Sequence, residues 1–306
     1  MTAGAAADRP SALRIWLLAI RPATLPAAVS GVVVGLGAAR AVGAPFRADT
    51  ALGCLGVALL LQIAANLAND LSDFRRGVDT PARMGPVRVA AAGLVSERQL
   101  EIAIGLTIAL AMLVGIRLAA VGGPVLLAIG AAAIVAALAY SGGPWRYGYR
   151  GLGELFVFVF FGLVAVAGTA YLQTGRIHPL FLAASVPVGA LITAILVVNN
   201  LRDLPTDAAA GKRTLAVVLG ARGTMLEYAA LLVLAFLAPV ALAATGTGWP
   251  VLLPLLAAPL ALPLWRKVRT FTEARELNAV LKATARLSLV FGILFAIGLT
   301  IAGAMR

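Results

Sequence analysis

The chain has 306 residues, 61% hydrophobic and 12% charged, with a formal net charge of +12 and a mean hydropathy of +0.97. Soluble domains carry roughly 45–50% apolar and about 25% charged residues, so a chain this long with so few charges cannot cover its apolar surface in water. The composition excludes a water-soluble globular protein and reads as an all-α polytopic membrane protein, one helical membrane domain over 1–306.

Apolar runs of about 20 residues are the length of a bilayer-crossing helix. They predict nine spans, at 15–39, 50–72, 98–119, 123–141, 152–172, 179–202, 224–244, 248–266 and 282–304. Residues 1–14 read as a loosely ordered tail. The first span is interrupted by Arg21-Pro22 and reads as a membrane helix rather than a cleaved signal peptide. With the N-terminus inside, 20 of the 25 Lys and Arg residues fall in inner segments, leaving Arg40, Arg47, Arg117, Arg176 and Arg306 outside. Such an excess marks the cytoplasmic side, so the expected topology is N-terminus cytoplasmic and C-terminus outside. The same charge explains attraction to anionic membrane lipid; nucleic acid is not an expected partner, and no protein partner is inferable.

Several conspicuous residues have ordinary explanations. Cys54, alone, can form neither an internal disulfide nor a thiolate metal site, and reads as a small packing residue. His178, the one histidine, sits in a short outer loop. Trp16, Trp145, Trp249 and Trp265 fall near span ends, as an interfacial belt would. Gly31 and Gly35, four apart, read as a close helix–helix packing site.

Five of the seven aspartates lie in two stretches, Asn66–Arg88 and Asn199–Arg213, which terminate the second and sixth spans. An even number of crossings separates these spans, so both stretches reach one face. Asn66, Asp70 and Asp73 follow a 4, 3 spacing that lines one side of a helix, and Asn199, Asp203 and Asp207 a 4, 4 spacing. Pro205 predicts a kink or end of the sixth helix near Leu204, with Asp207 on the following turn. An ionised Asp at mid-membrane costs about 2.5–3.5 kcal/mol on insertion scales, less near the interface. Pairing with neighbouring arginines explains part of this, but not two matched clusters with asparagines one turn deeper. Mg²⁺ prefers oxygen ligands, typically one or two carboxylates completed by waters and substrate phosphates. Two facing acidic clusters with adjoining cations therefore suit a diphosphate, and a diphosphate site opening into a membrane bundle suits a polyprenyl diphosphate. Metal-assisted ionisation of its allylic C–O bond is the chemistry such a site supplies.

At these residues the chain resembles the UbiA superfamily of intramembrane aromatic prenyltransferases, and within it the 1,4-dihydroxy-2-naphthoate polyprenyltransferases of menaquinone biosynthesis. The resemblance rests on Arg21-Pro22 with Thr24-Leu25, NDLSDFRRGVDT at 69–80, GPVR at 85–88, GGPWRYGYRGLGE at 142–154 and RDLPTDAAAGKRTLA at 202–216. The wider superfamily usually shows NDxxDxxxD; here Gly77 takes the third aspartate's place and Asp79 follows two later. The resemblance implies nine helices around a central cavity with a cytoplasmic cap, in a bacterial plasma membrane. It implies transfer of the polyprenyl group to 1,4-dihydroxy-2-naphthoate with loss of CO₂ and pyrophosphate, giving demethylmenaquinol. Another aromatic acceptor such as 4-hydroxybenzoate, or an ion-coupled transporter, are the alternatives. CDP-alcohol phosphotransferases also carry aspartates on a membrane helix, but their DGxxAR core is missing.

The expected site follows. Asp70, Asp73, Asp203 and Asp207 are the catalytic Mg²⁺ ligands, joined by Asp79. Asn66, Asn69, Asn199 and Asn200 orient ligands or diphosphate oxygens, and Arg75, Arg83, Arg88, Arg146, Lys212 and Arg213 are diphosphate candidates. Arg21 is the candidate for the acceptor carboxylate or the diphosphate, while Tyr140, Ser141, Trp145, Tyr149 and Glu154 shape the acceptor pocket. The segment 266–286 reads as an amphipathic connector that closes the site.

Overall fold

The computed structural model describes residues 10–78 and 84–306, and the described residues are almost entirely helical. Helix α1 (Ala12–Ile20) starts at Ser11, whose hydroxyl accepts from the Arg14 amide. It stops at Arg21, which adopts a left-handed conformation (φ 53°). Pro22 then opens a 3₁₀ turn, and α2 (Leu25–Ala41) completes the first crossing. Proline supplies no N–H and disfavours α geometry in the residue before it, so the interruption falls where the sequence places it. Next come α3 (Ala48–Arg75), α4 (Glu97–Gly122, with a Ser96/Gln99 capping box) and α5 (Val125–Ala139).

A continuous crossing of α6 (Gly153–Val157), a π segment (Phe158–Val164) and α7 (Ala165–Thr174) leads to α8 (Pro179–Ala209). The remainder is α9 (Leu215–Leu242), a π turn to Thr247, a 3₁₀ stretch (Trp249–Ala257), α10 (Ala258–Thr270) and α11 (Leu277–Ala304). Eight of these segments are long and apolar enough to cross a bilayer. The ninth expected span is α5, whose 15 residues rise only about 22 Å. All nine expected spans therefore coincide with helical segments, and the chain is a multi-pass membrane protein.

Two expectations are corrected. α8 does not end near Leu204; it runs through Pro205 to Ala209. Proline removes one donor, and a long helix buried over most of its length loses one hydrogen bond without losing its register. Residues 266–286 are not a separate amphipathic element. α10 continues to Thr270, α11 starts at Leu277, and the six-residue corner between them is pinned by a Lys267–Glu276 ion pair. His178 caps α8, its Nδ1 accepting from the Leu180 amide at 3.1 Å.

α8 is the central post, packed by α9, α11, α2 and the π segment. Close approach depends on glycines where helices touch backbone to backbone. A Cβ on Gly31 would lie 2.8 Å from Ala165 Cβ, and one on Gly35 2.5 Å from the Val166 carbonyl, as their spacing predicts. A Cβ on Gly37 would meet Ala296 Cα at 2.5 Å, whereas Gly56 faces open space. Overpacking costs about 1–3 kcal/mol, while a helix-interior alanine is favoured over glycine by about 0.8–1.0 kcal/mol. Gly37→Ala is therefore expected to lower the thermal midpoint of the detergent-purified protein and Gly56→Ala to leave it equal or higher. Equal shifts in the two variants would contradict this packing account.

Candidate active site

One cavity of about 730 Å³ runs inside the bundle, walled by α2, α3, α5, the α6–α7 crossing and α8. Most of its wall is apolar, including Val57, Leu61, Ile129, Ala133, Phe160 and Leu172. Its polar end is built by two helix stripes. On α3 the stripe is Asn66, Asn69 and Asp73, spaced 3 and 4; on α8 it is Asn199, Asp203 and Asp207, spaced 4 and 4. Because α8 continues through Pro205, Asp207 stands one turn above Asp203 on the same helix face.

Asp73 is the most heavily engaged carboxylate. Its Oδ2 accepts from Arg88 Nη2 at 2.7 Å, and its Oδ1 accepts from the Tyr149 hydroxyl and lies 3.7 Å from Lys212 Nζ. The same Nζ is 3.3 Å from Asp207 Oδ1, so Lys212 joins the two acidic stretches. Asp203 accepts from one edge of the Arg202 guanidinium in bidentate fashion, Nε to Oδ1 at 2.8 Å and Nη2 to Oδ2 at 2.6 Å. Arg202 is 1% exposed and also donates to Asn199 Oδ1 and Asn278 Oδ1, each at 2.9 Å. Asn278 in turn donates to the Met84 carbonyl, tying the start of α11 to the segment after α3. Burial, and the Asp73 carboxylate beside it, raise the Tyr149 phenol above its ordinary range, so it stays protonated and donates.

Of the residues expected from sequence, Arg21, Asn66, Asn69, Asp73, Arg88, Tyr140, Ser141, Tyr149, Asn199, Asn200, Asp203, Asp207 and Lys212 line the cavity. Asp79 and Arg83 lie outside the described residues. Asp70 is a correction. It is 1% exposed and does not line the cavity, its oxygens accepting from the Val89 and Ala90 amides at 3.1 and 3.2 Å. Successive helix residues are about 100° apart, so the inward stripe takes Asn69 rather than its neighbour.

Arg75 is a second correction. It turns to α4, pairing with Glu97 and Glu101 at a half-exposed surface, where such pairs contribute about 0–1 kcal/mol. Trp145 is 69% exposed, Arg213 is exposed, and neither reaches the cavity wall. Arg146 also lies off the wall, with its guanidinium 5.8 Å from the Tyr149 ring. Glu154 sits behind the wall rather than in it, its Oε1 accepting from Asn200 Nδ2 at 2.7 Å.

Gln62, Thr24, Arg202 and Asn278 were not singled out as site residues. Gln62 and Thr24 belong to a polar cluster in which Asn66 Nδ2 donates to the Ile20 carbonyl at 2.9 Å and to Thr24 Oγ1 at 3.1 Å. A glutamine inside an apolar helix and an arginine adjoining Asp203 were signals available in the sequence. Nothing local marks Asn278. Among the described residues no cluster of three His, Cys, Asp or Glu side chains is tight enough to hold a metal by itself. The donors available to a cation here are oxygens, from Asp73, Asp203, Asp207 and the neighbouring asparagines.

Fold and site together define a polytopic membrane protein with an internal cavity for an amphiphile, charged at one end and apolar along the rest. Residues 28–290 match the UbiA prenyltransferase family. The chain belongs to that family and is a prenyltransferase. It is 45% identical over 290 residues to the 1,4-dihydroxy-2-naphthoate octaprenyltransferase of Mycobacterium tuberculosis, covering 95% of this chain and 96% of that one. To the Escherichia coli protein of the same name it is 37% identical, over 94% and 96%. Its fold matches a UbiA homolog from Aeropyrum pernix (TM-score 0.67, 18% identity, 91% and 98% covered). It also matches one from Archaeoglobus fulgidus bound to GPP and Mg²⁺ (0.66, 17%, 94% and 99%).

Leaving buried amides without an acceptor costs about 1–3 kcal/mol. Asp70→Ala is accordingly expected to destabilise the protein by that amount, read as a lower thermal midpoint. A variant as stable as the parent would restore Asp70 as a candidate ligand.

Proposed function

We propose that this chain transfers a polyprenyl group from its diphosphate to 1,4-dihydroxy-2-naphthoate, releasing CO₂ and pyrophosphate and giving demethylmenaquinol. The observation that carries the donor is the continuity of one cavity from an acidic, cation-lined mouth to an apolar barrel. The acceptor is supported by near-full-length identity to the naphthoate prenyltransferases. We place the mouth on the cytoplasmic side of the membrane, a reading supported by the distribution of Lys and Arg between loops.

The oxygen donors fit Mg²⁺. Asp73, Asp203 and Asp207, with the amide oxygens of Asn69 and Asn199, are the residues that would hold it. When bound, it would neutralise charge growing on the leaving pyrophosphate. Arg88 and Lys212 meet the diphosphate from the cationic side of the same mouth. The barrel wall, with Ile129, Ala133 and Phe160, orients the tail and excludes water from the allylic carbon. Tyr140, Ser141 and Arg21 line the cavity close to the α3 stripe and suit the aromatic acid, with Arg21 facing its carboxylate.

Turnover with purified protein, a radiolabelled prenyl diphosphate and a panel of aromatic acids tests the reading. Prenylation of the naphthoate should require Mg²⁺, and Asp73→Asn or Asp203→Asn should lower kcat about 10²–10³-fold, the scale of removing one charge-stabilising group. Metal-independent turnover, or prenylation of 4-hydroxybenzoate alone, would overturn it. A second check concerns the barrel. Gly130 lines the cavity, and a side chain there meets open space. Gly130→Leu should raise KM for long-chain donors more than for a geranyl donor; an equal rise for both would remove the barrel as the tail site.

A further inference from the structure

We propose that Tyr149 is the positioning residue that assembles the cations of the diphosphate site around its ring, and that Arg76 and Arg146 belong to that site as rim cations. The proposal rests on the diphosphate-donor reading and deepens it.

Three acids of the mouth are matched by three cations: Asp73 by Arg88, Asp203 by Arg202, and Asp207 by Lys212. Each of these three acids thus has a cation of its own. Outside these pairs, Tyr149 sits on a 3₁₀ turn (Tyr147–Arg150) in the 140–152 loop. Lys212 Nζ lies 4.5 Å from its ring centroid, Arg76 Cζ 5.6 Å and Arg146 Cζ 5.8 Å. All three are within the roughly 6 Å at which an aromatic quadrupole attracts a cation. Among the described residues neither Arg76 nor Arg146 has a carboxylate partner. Three like charges therefore converge on one ring with two of them uncompensated, an arrangement that attracts a polyanion to the rim.

Tyr149 is tied to two other chain segments, and Arg76 is tied to the start of the loop that carries the ring. Its hydroxyl donates to Asp73 on α3, its carbonyl accepts from the Arg213 amide at 3.0 Å, and Arg76 Nη1 donates to the Ser141 carbonyl at 2.7 Å. Ser72 Oγ donates to that same carbonyl at 2.7 Å, and Ser141 Oγ donates to Asn69 Oδ1 at 2.6 Å. Asn69, Ser72, Asp73 and Arg76 are spaced 3, 1 and 3 along the end of α3, so one helix side grips the loop that carries the ring. Removing the ring leaves Lys212 held by Asp73 and Asp207 alone, and leaves the rim arginines without a common surface.

The test uses the full-length protein in nanodiscs and inorganic pyrophosphate with Mg²⁺ as the probe, read by calorimetry, alongside steady-state kinetics. Tyr149→Leu is expected to weaken pyrophosphate binding at least tenfold and to raise KM for the prenyl diphosphate in proportion, with KM for the aromatic acid within about twofold. Tyr149→Phe, which keeps the ring, should bind pyrophosphate within about threefold of the parent. Arg76→Gln and Arg146→Gln should each weaken pyrophosphate binding and flatten its salt dependence. A Tyr149→Leu protein that binds pyrophosphate like the parent overturns the proposal, as does one that loses affinity only for the aromatic acid. Loss in Tyr149→Phe equal to that in Tyr149→Leu overturns the role of the ring. Rim variants with unchanged affinity and salt slope overturn the role of Arg76 and Arg146. Failure of the unmodified protein to bind pyrophosphate would instead remove the diphosphate reading itself.

Discussion

The structure depends on neutralising carboxylates at the end of membrane helices. α3 and α8 each deliver acids to the cavity mouth, and neither helix could stand there with its charge uncompensated. The protein's solution is a small lattice of ion pairs, the chain Arg88–Asp73–Lys212–Asp207 with Arg202–Asp203 beside it. Lys212 is its keystone, because it touches carboxylates of both acidic stretches, at 3.7 and 3.3 Å. A buried pair broken on one side leaves an unpaired charge at about 3–5 kcal/mol. The loops carrying Arg88 and Lys212 are therefore bound to the helix ends through these pairs.

That lattice also ties the described parts of the loops to the helices. The segment after α3 returns to it through Arg88 on Asp73 and through the Val89 and Ala90 amides on Asp70. The segment after α5 returns through Ser141 and Tyr149. The corner before α11 returns through Asn278, which reaches both Arg202 and the Met84 carbonyl. Each connection ends on a polar group of α3 or α8, so the cap over the cavity is an extension of the two acidic helices. The glycine contacts of α2 with α7 and α11 fix the walls below it.

Much of this was legible in the sequence. Hydropathy located the eight helices long enough to cross a bilayer and the shorter α5, and Arg21-Pro22 located the break in the first. The asymmetry of the acids located the site. What periodicity could not decide was which of two adjacent stripes on α3 faces inward, since Asn66–Asp70–Asp73 and Asn66–Asn69–Asp73 both fit a helix. The choice is made by tertiary partners, two backbone amides that claim Asp70 and a loop serine that claims Asn69. Pro205 misled for a different reason. A proline rule describes an isolated helix, and α8 is held on nearly every side by other helices, which override the loss of one donor. Arg75 and Arg88 could not be told apart as charges; only the position of Glu97 and Glu101 on α4 draws the first away. Asn278 had no local signature, because its importance lies in contacts with residues far away in the chain.

The division between Asp70 and Asp73 carries a further consequence for how this mouth is built. Two carboxylates three residues apart would ordinarily be read as a pair acting on one ligand. Here one is spent on backbone amides and fixes the loop that supplies Arg88, and the other receives Arg88 itself. Asp70 therefore helps set where the partner of Asp73 stands, through the Val89 and Ala90 amides that follow Arg88. Asp203 is oriented in a comparable way by Arg202, which is locked in turn by Asn199 and Asn278. On both helices the residue facing the cavity is aimed by a buried neighbour that the cavity never touches. The precision of the oxygen cluster thus comes from contacts made behind it, and the loops that provide them are integral to the site they cover.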